Sequence, residues 1–124
     1  MLVEYSSNIT VSNSIIRNNL MCLSGGGMYF QYSEGLQLIN LEVYNNTAFF
    51  IGGGIAIGGC TDVLLTNVNV NDNNVVMAGG GVYIVDSNDV IFDLVNIYDN
   101  TSISAAGGLA VGGNDNIELK LPKK

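Results

Sequence analysis

The sequence has no histidine, no tryptophan, one proline and two cysteines. Without histidine, the commonest general base and the commonest metal ligand are missing. Serine–histidine and cysteine–histidine nucleophile systems are excluded with it. Charge is also scarce: 12% of residues are charged, and only Arg17, Lys120, Lys123 and Lys124 are basic. Eleven acidic residues leave a net charge of −7. Nucleic-acid binding rests on Lys and Arg neutralising phosphates. Three of the four basic residues sit at the extreme C-terminus, so a nucleic-acid partner is excluded and an anionic membrane surface is disfavoured. No apolar run approaches the ~18 residues of a spanning helix, so no membrane insertion is expected. The opening MLVEYSSNIT lacks the basic start and long apolar stretch of a signal peptide. Cys22 and Cys60 occupy unlike places in the pattern described below, which argues against a disulfide framework.

What is abundant is apolar residues, at 48%, and glycine, with 16 in 124 residues. Such a composition argues against disorder, and the length suits one domain. The glycines are placed regularly. GGG begins at Gly25, Gly52 and Gly79, and the variant AGG begins at Ala106, each 27 residues after the last. Numbering from the triplet gives units 1–24, 25–51, 52–78, 79–105 and 106–124 with no gap. Position four holds Met1, Met28, Ile55, Val82 and Leu109, and position six holds Val3, Phe30, Ile57, Ile84 and Val111. Position twelve holds Ile9, Leu36, Val63, Val90 and Ile117, and position fourteen Val11, Leu38, Leu65, Phe92 and Leu119. Position nineteen holds Ile16, Val43, Val70 and Ile97, and position twenty-two is Asn19, Asn46, Asn73 and Asn100.

Apolar positions alternate within each unit, at four and six, twelve and fourteen, seventeen and nineteen. That alternation predicts three short strands, each with one buried face. A single unit cannot bury those faces, but stacked units can, which predicts a parallel β-solenoid of about four and a half coils. Each strand then pairs with its copy one coil on, about 4.8 Å away, in a rod roughly 20 Å tall. The triplets Gly25, Gly26 and Gly27, then Gly52, Gly53 and Gly54, then Gly79, Gly80 and Gly81, with Gly107 and Gly108, are read as a recurring corner. Positive φ and close backbone approach are expected to exclude a side chain there. The asparagines Asn19, Asn46, Asn73 and Asn100 are read as an inward amide ladder, each bonding to its neighbours in adjacent coils.

These elements resemble the repeats of polymorphic outer-membrane proteins, which carry GGA[ILV] and FxxN in each coil. Here they read GGGM (25–28), GGGI (52–55) and GGGV (79–82), and IRNN (16–19), VYNN (43–46), VNDN (70–73) and IYDN (97–100), with the aromatic replaced by Ile or Val. The resemblance implies a right-handed parallel β-helix of the pectin-lyase-like type, and handedness comes from it alone. It also implies an extracellular or cell-surface location and a role in adhesion. A segment of a longer chain is expected, 1–124 forming a single β-helix region, with LKLPKK (119–124) blunting one end through its Pro and Lys.

The pectin-lyase-like fold also hosts polysaccharide lyases and glycoside hydrolases, so activity has to be sought in the residues. Two carboxylates alone can hydrolyse a glycoside. Asp62, Asp86, Asp89 and Asp93 are candidates, as are Asp72 and Asp99, which share position twenty-one in adjacent coils. The same pairs, Asp72 with Asp99 and Asp86 with Asp89, are the nearest approach to a cation site, but calcium needs six to eight oxygens. The sequence also lacks the basic residues that a lyase needs to act as base and to hold an acidic sugar. No catalytic residue, cofactor or bound metal is therefore expected. Leu64 and Ile91 at position thirteen, with Leu94 and Ile39 nearby, are expected to form an exterior apolar patch for a protein or glycan partner, or for self-association. Tyr29 and Tyr83, and Tyr44 and Tyr98, are interrupted columns that could stack on sugars. Sequons occur at Asn8, Asn45 and Asn100, the last expected to be inaccessible within the ladder. The reading is a non-catalytic structural or adhesive solenoid, with a carbohydrate-binding or polysaccharide-cleaving module as the alternative.

Overall fold

The computed structural model describes residues 1–21 and 23–120. The first coil carries β1 (Leu2–Glu4), β2 (Ser7–Arg17) and β3 (Leu20–Met21). The second carries β4 (Met28–Gln31), β5 (Glu34–Tyr44) and β6 (Thr47–Ala48). The third carries β7 (Ile55–Gly58), β8 (Thr61–Asn71) and β9 (Asn74–Val75). The fourth carries β10 (Val82–Val85), β11 (Asn88–Tyr98) and β12 (Thr101–Ser102), and β13 (Leu109–Gly112) and β14 (Asp115–Lys120) follow. They assemble three parallel sheets, ordered β1-β4-β7-β10-β13, β2-β5-β8-β11-β14 and β3-β6-β9-β12. Every pair joins residues 27 apart: Ile55 lies beside Val82, Leu36 beside Val63, and Thr47 beside Asn74. The fold is an all-β parallel solenoid. Cys22 and the end residues Leu121, Pro122, Lys123 and Lys124, part of the segment expected to protect an edge, lie outside the described residues.

Strand layout differs from the three short strands expected. Positions twelve to fourteen and seventeen to nineteen belong to one continuous 11-residue strand, as in β5 and β8. A residue with positive φ at position sixteen, Asn13, Asn40, Asn67 or Leu94, bends that strand. The bend resets the side-chain alternation, so that Leu38 and Leu41, three apart, both point inward and are buried. The third sheet is instead a two-residue ladder at positions twenty-three and twenty-four, too short to show as a periodic signal.

The expected apolar columns form the core. Met28, Phe30, Leu36, Leu38, Val43, Ile55, Ile57, Val63, Leu65, Val70, Val82, Ile84, Val90 and Phe92 make one buried cluster. Columns in the end coils, such as Ile9 and Ile117, are only partly buried, because a solenoid residue is covered by neighbours on both sides.

Candidate functional surfaces

Asn46 and Asn73 are fully buried. The Asn19 amide donates to Asn46 Oδ1 at 2.9 Å, Asn46 to Asn73 Oδ1 at 3.0 Å, and Asn73 to Asn100 Oδ1 at 3.0 Å. Each of these acceptors also receives a backbone N–H from the preceding coil. The second amide hydrogen of Asn46 and of Asn73 goes to the carbonyls of Ile16 and Val43. No buried side-chain polar atom among the described residues lacks a partner. Asn100 is half-buried, and its amide is committed to the Val70 and Tyr98 carbonyls.

A second inward polar column was not anticipated. Ser6, Ser33, Cys60, Ser87 and Asn114 share position nine. Ser33 Oγ accepts from Ser6 N, Ser87 Oγ from Cys60 N, and Asn114 Oδ1 from Ser87 N, at 3.1, 3.1 and 2.7 Å. Cys60 is a free buried thiol in this serine column, and burial raises its pKa above the usual 9.0. The signal was legible only as a loosely polar column with a cysteine in it.

The glycine corner has more than one physical cause, and positive φ accounts for only a third of each triplet. Position one takes it, with φ of 63°, 62° and 69° at Gly25, Gly52 and Gly79. Gly26, Gly53 and Gly80 at position two do not, nor do Gly27, Gly54 and Gly81 at position three, nor Gly107 and Gly108. Positive φ thus explains position one, and the close approach that was also expected explains the other two. At position two the reason is contact between coils. A Cβ on Gly26 would run into Gly53 O and lie 2.8 Å from Thr47 N, and one on Gly53 would run into Gly80 O and lie 2.6 Å from Asn74 O. A Cβ on Gly80 would meet Gly107 O and Thr101 O in the same way. Position three presses on the ladder: a Cβ would sit 3.1 Å from Asn46 Nδ2 at Gly27, 2.9 Å from Asn73 Nδ2 at Gly54 and 2.8 Å from Asn100 Nδ2 at Gly81. Corner and ladder thus form one packed unit. It loosens in the last coil, where a Cβ on Gly108 would meet only Ile97 Cγ2 at 3.6 Å.

The candidate carboxylates are placed by backbone geometry. Among the described residues, all 16 non-glycine residues and all six glycines with positive φ fall at positions one, eight, eleven, sixteen or twenty-one. These are the corners of the coil, where Asn, Asp and Gly are tolerated best. Asp86 stands at position eight, Asp62 and Asp89 at position eleven, and Asp72 and Asp99 at position twenty-one, all with positive φ. Asp72, Asp86, Asp89 and Asp99 are exposed. Asp72 accepts from Asn71 Nδ2 at 2.7 Å, and Asp89 accepts from Asn116 Nδ2. Among the described residues no cluster of three or more metal-ligating side chains is present. Asp93, off the corners, lies beside Thr66 and Lys120 in register.

Leu64 and Ile91 do stack in register, with Gln37 on the other side of Leu64. Both are half-buried, as is Ile39, which pairs with Ser12 and Thr66; Leu94 stands at the bend itself and is exposed. Asp62, Asp89 and Gln37 line the groove beside Leu64 and Ile91, so this strip is bordered by acid rather than continuous. Tyr29 and Tyr83 are separated by Ala56, and Tyr44 and Tyr98 by Asn71. The stacked aromatic pair is instead Tyr5 and Tyr32, with ring centroids 5.3 Å apart. It borders an open recess with Ser7, Glu34 and Thr61.

These features define a class: a parallel β-solenoid with a glycine corner and an internal amide ladder. The chain belongs to the right-handed β-helix family, whose model, described as a right-handed beta helix region, matches residues 1–121. No curated protein and no solved structure matches it significantly.

Proposed function

We propose that this chain is a non-catalytic β-helix segment acting as a structural or adhesive rod, extracellular or on a cell surface, in the manner of the polymorphic outer-membrane protein repeats its motifs resemble. One observation carries the non-catalytic part. Five of the six candidate carboxylates occupy positive-φ corners, places that Asn or Gly, or Tyr at position eight, takes in the equivalent coils. Backbone geometry is a sufficient reason for an acid at those five positions, which supports a non-catalytic reading; Asp93 lies off the corners. Surface location and adhesion rest on the resemblance of the GGG[MIV] and [IV]xxN elements. No cofactor is needed for this role, and the acidic balance disfavours nucleic acid as a partner.

A second reading, a carbohydrate-binding module, is favoured by the Tyr5–Tyr32 stack beside Ser7, Glu34 and Thr61. Aromatic faces with nearby polar groups suit a sugar ring. The two readings separate in one experiment. The purified chain is incubated with a panel of neutral and acidic polysaccharides, and both binding and new reducing or unsaturated ends are measured. Cleavage of any member overturns the non-catalytic reading. Binding without cleavage that is lost in Tyr5→Ala with Tyr32→Ala establishes the second.

A further inference from the structure

Charge is segregated around the coil. Residues 18–33, 43–61, 73–85 and 100–114 contain no Asp, Glu, Lys or Arg, in a chain of net charge −7. Folding superimposes these four stretches, because they recur with the 27-residue register. They contain the third sheet, the glycine corner and most of the first sheet. Among the described residues, one side of the solenoid is therefore free of charged side chains except Glu4 at its N-terminal edge.

That side is also where large apolar groups are exposed. Leu23, Phe49, Phe50, Met77 and Ile103, at positions twenty-five and twenty-six of four successive coils, are 61%, 52%, 41%, 46% and 78% exposed. Backbone bonds hold their coils in line: Phe50 N donates to Leu23 O at 2.8 Å, and Ala105 N to Met77 O at 2.9 Å. The result is a ridge along the rod. Beside it lies a flatter shelf, the outward column Tyr29, Ala56, Tyr83 and Ala110 of the first sheet. Ala56 is fully buried in that column, so the shelf presents the half-buried Tyr29, Tyr83 and Ala110. At the N-terminal end a groove runs between ridge and shelf, lined by Leu2, Met21, Leu23, Tyr29 and Phe50.

We propose that this neutral face docks a second copy of the chain, the ridge of each copy seated on the shelf of the other about a two-fold axis. A ridge beside a complementary shelf is self-complementary, which is what an isologous contact needs. Electrostatics selects the same arrangement. Two chains of net charge −7 repel, and only contact through the neutral side keeps their acidic corners apart. A face about 20 Å tall and roughly 25 Å wide buries about 1,000 Å² across two copies. That is the lower range for a specific interface, so a dissociation constant of micromolar order is expected.

The test is sedimentation velocity of the full chain from about 1 to 200 µM, a range that brackets such an affinity. A reversible dimer is expected, tightening when salt rises from about 0.05 to 0.5 M, because screening removes repulsion. Phe50→Glu with Met77→Glu should weaken it at least about a hundredfold while β-sheet circular dichroism is retained. Ile103→Lys, at the most exposed ridge position, provides a second variant with little risk to folding and should also weaken it. Leu64→Asp with Ile91→Asp, on the acidic side, should leave it intact. A monomer throughout the range, weakening by salt, or a dimer that survives the ridge variants overturns the proposal. Monomers that instead bind phosphatidylcholine vesicles through the ridge also overturn it and assign the face to lipid.

Discussion

Replacing Asn73 by leucine tests the internal ladder most directly. The side chain of Asn73 makes four hydrogen bonds at about full burial. It donates to Asn100 Oδ1 and Val43 O and accepts from Asn46 N and Asn46 Nδ2, each at 3.0 Å. Asn73→Leu leaves two buried donors on Asn46 without partners, at about 1–3 kcal/mol each. Leucine recovers part of this by burying more hydrocarbon, about 1–2 kcal/mol. The net cost is then about 3 kcal/mol, or roughly a 10 °C fall in Tm for a chain of this size. Asn19→Leu is the internal control. Asn19 is exposed and donates only to Arg17 O and Asn46 Oδ1, so its loss should cost under about 1 kcal/mol. Both are measured by urea unfolding followed by circular dichroism, comparing midpoints at constant slope. Equal costs at the two sites, or no cost at Asn73, would refute the claim that burial makes the amide column indispensable.

Other consequences are more local. Gly53→Ala should destabilise by more than about 2 kcal/mol, because its Cβ would collide with the backbone oxygens of Gly80 and Asn74, which have no room to move. Gly58→Ala, whose Cβ meets only Val85 Cγ1 at 3.5 Å, should be neutral or slightly stabilising by the same unfolding assay. Leu94→Asn should stabilise by about 1 kcal/mol, since Leu94 holds φ 56° in a column where Asn13, Asn40 and Asn67 hold it and bond amide to amide. A melting temperature below that of the wild type would refute that reading. Cys60 should make the fold sensitive to alkali. Its folded pKa lies above its ordinary value, so the unfolded chain loses the proton first and stability falls as pH rises above about 9. Tyr29, also raised by burial, extends the loss above about 10. Cys60→Ser, measured as Tm against pH, should remove the first part of that decline and leave the second.

Much of the architecture was legible because a solenoid repeats its physics at every coil. Matching Met1, Met28, Ile55, Val82 and Leu109 in one column already implies a shared environment, and the asparagine column implies a buried, paired amide. Register followed for the same reason: any other pairing would set the apolar columns out of line. Handedness did not follow from spacing, since periodicity is blind to it, and rests on the family match. The bend at position sixteen was hidden too. An Asn there reads as a polar break between strands, whereas in the fold it is a left-handed residue within one strand. The glycine triplet was legible as a corner, but Gly26 and Gly53 owe their identity to the coil next door rather than to their own φ. The placement of the acids was hidden as well: Asp62, Asp72, Asp86, Asp89 and Asp99 are read in the sequence as candidate carboxylates, and only the fold shows that each stands at a positive-φ corner. The sequence by itself determined the stacking, the core columns and the amide ladder, all properties of a residue and its copy 27 positions away. Only the tertiary structure decided which columns share a side of the rod, because the angle turned at each corner sets that. The gathering of Phe50, Met77 and Ile103 on a neutral face therefore came to light only in the fold.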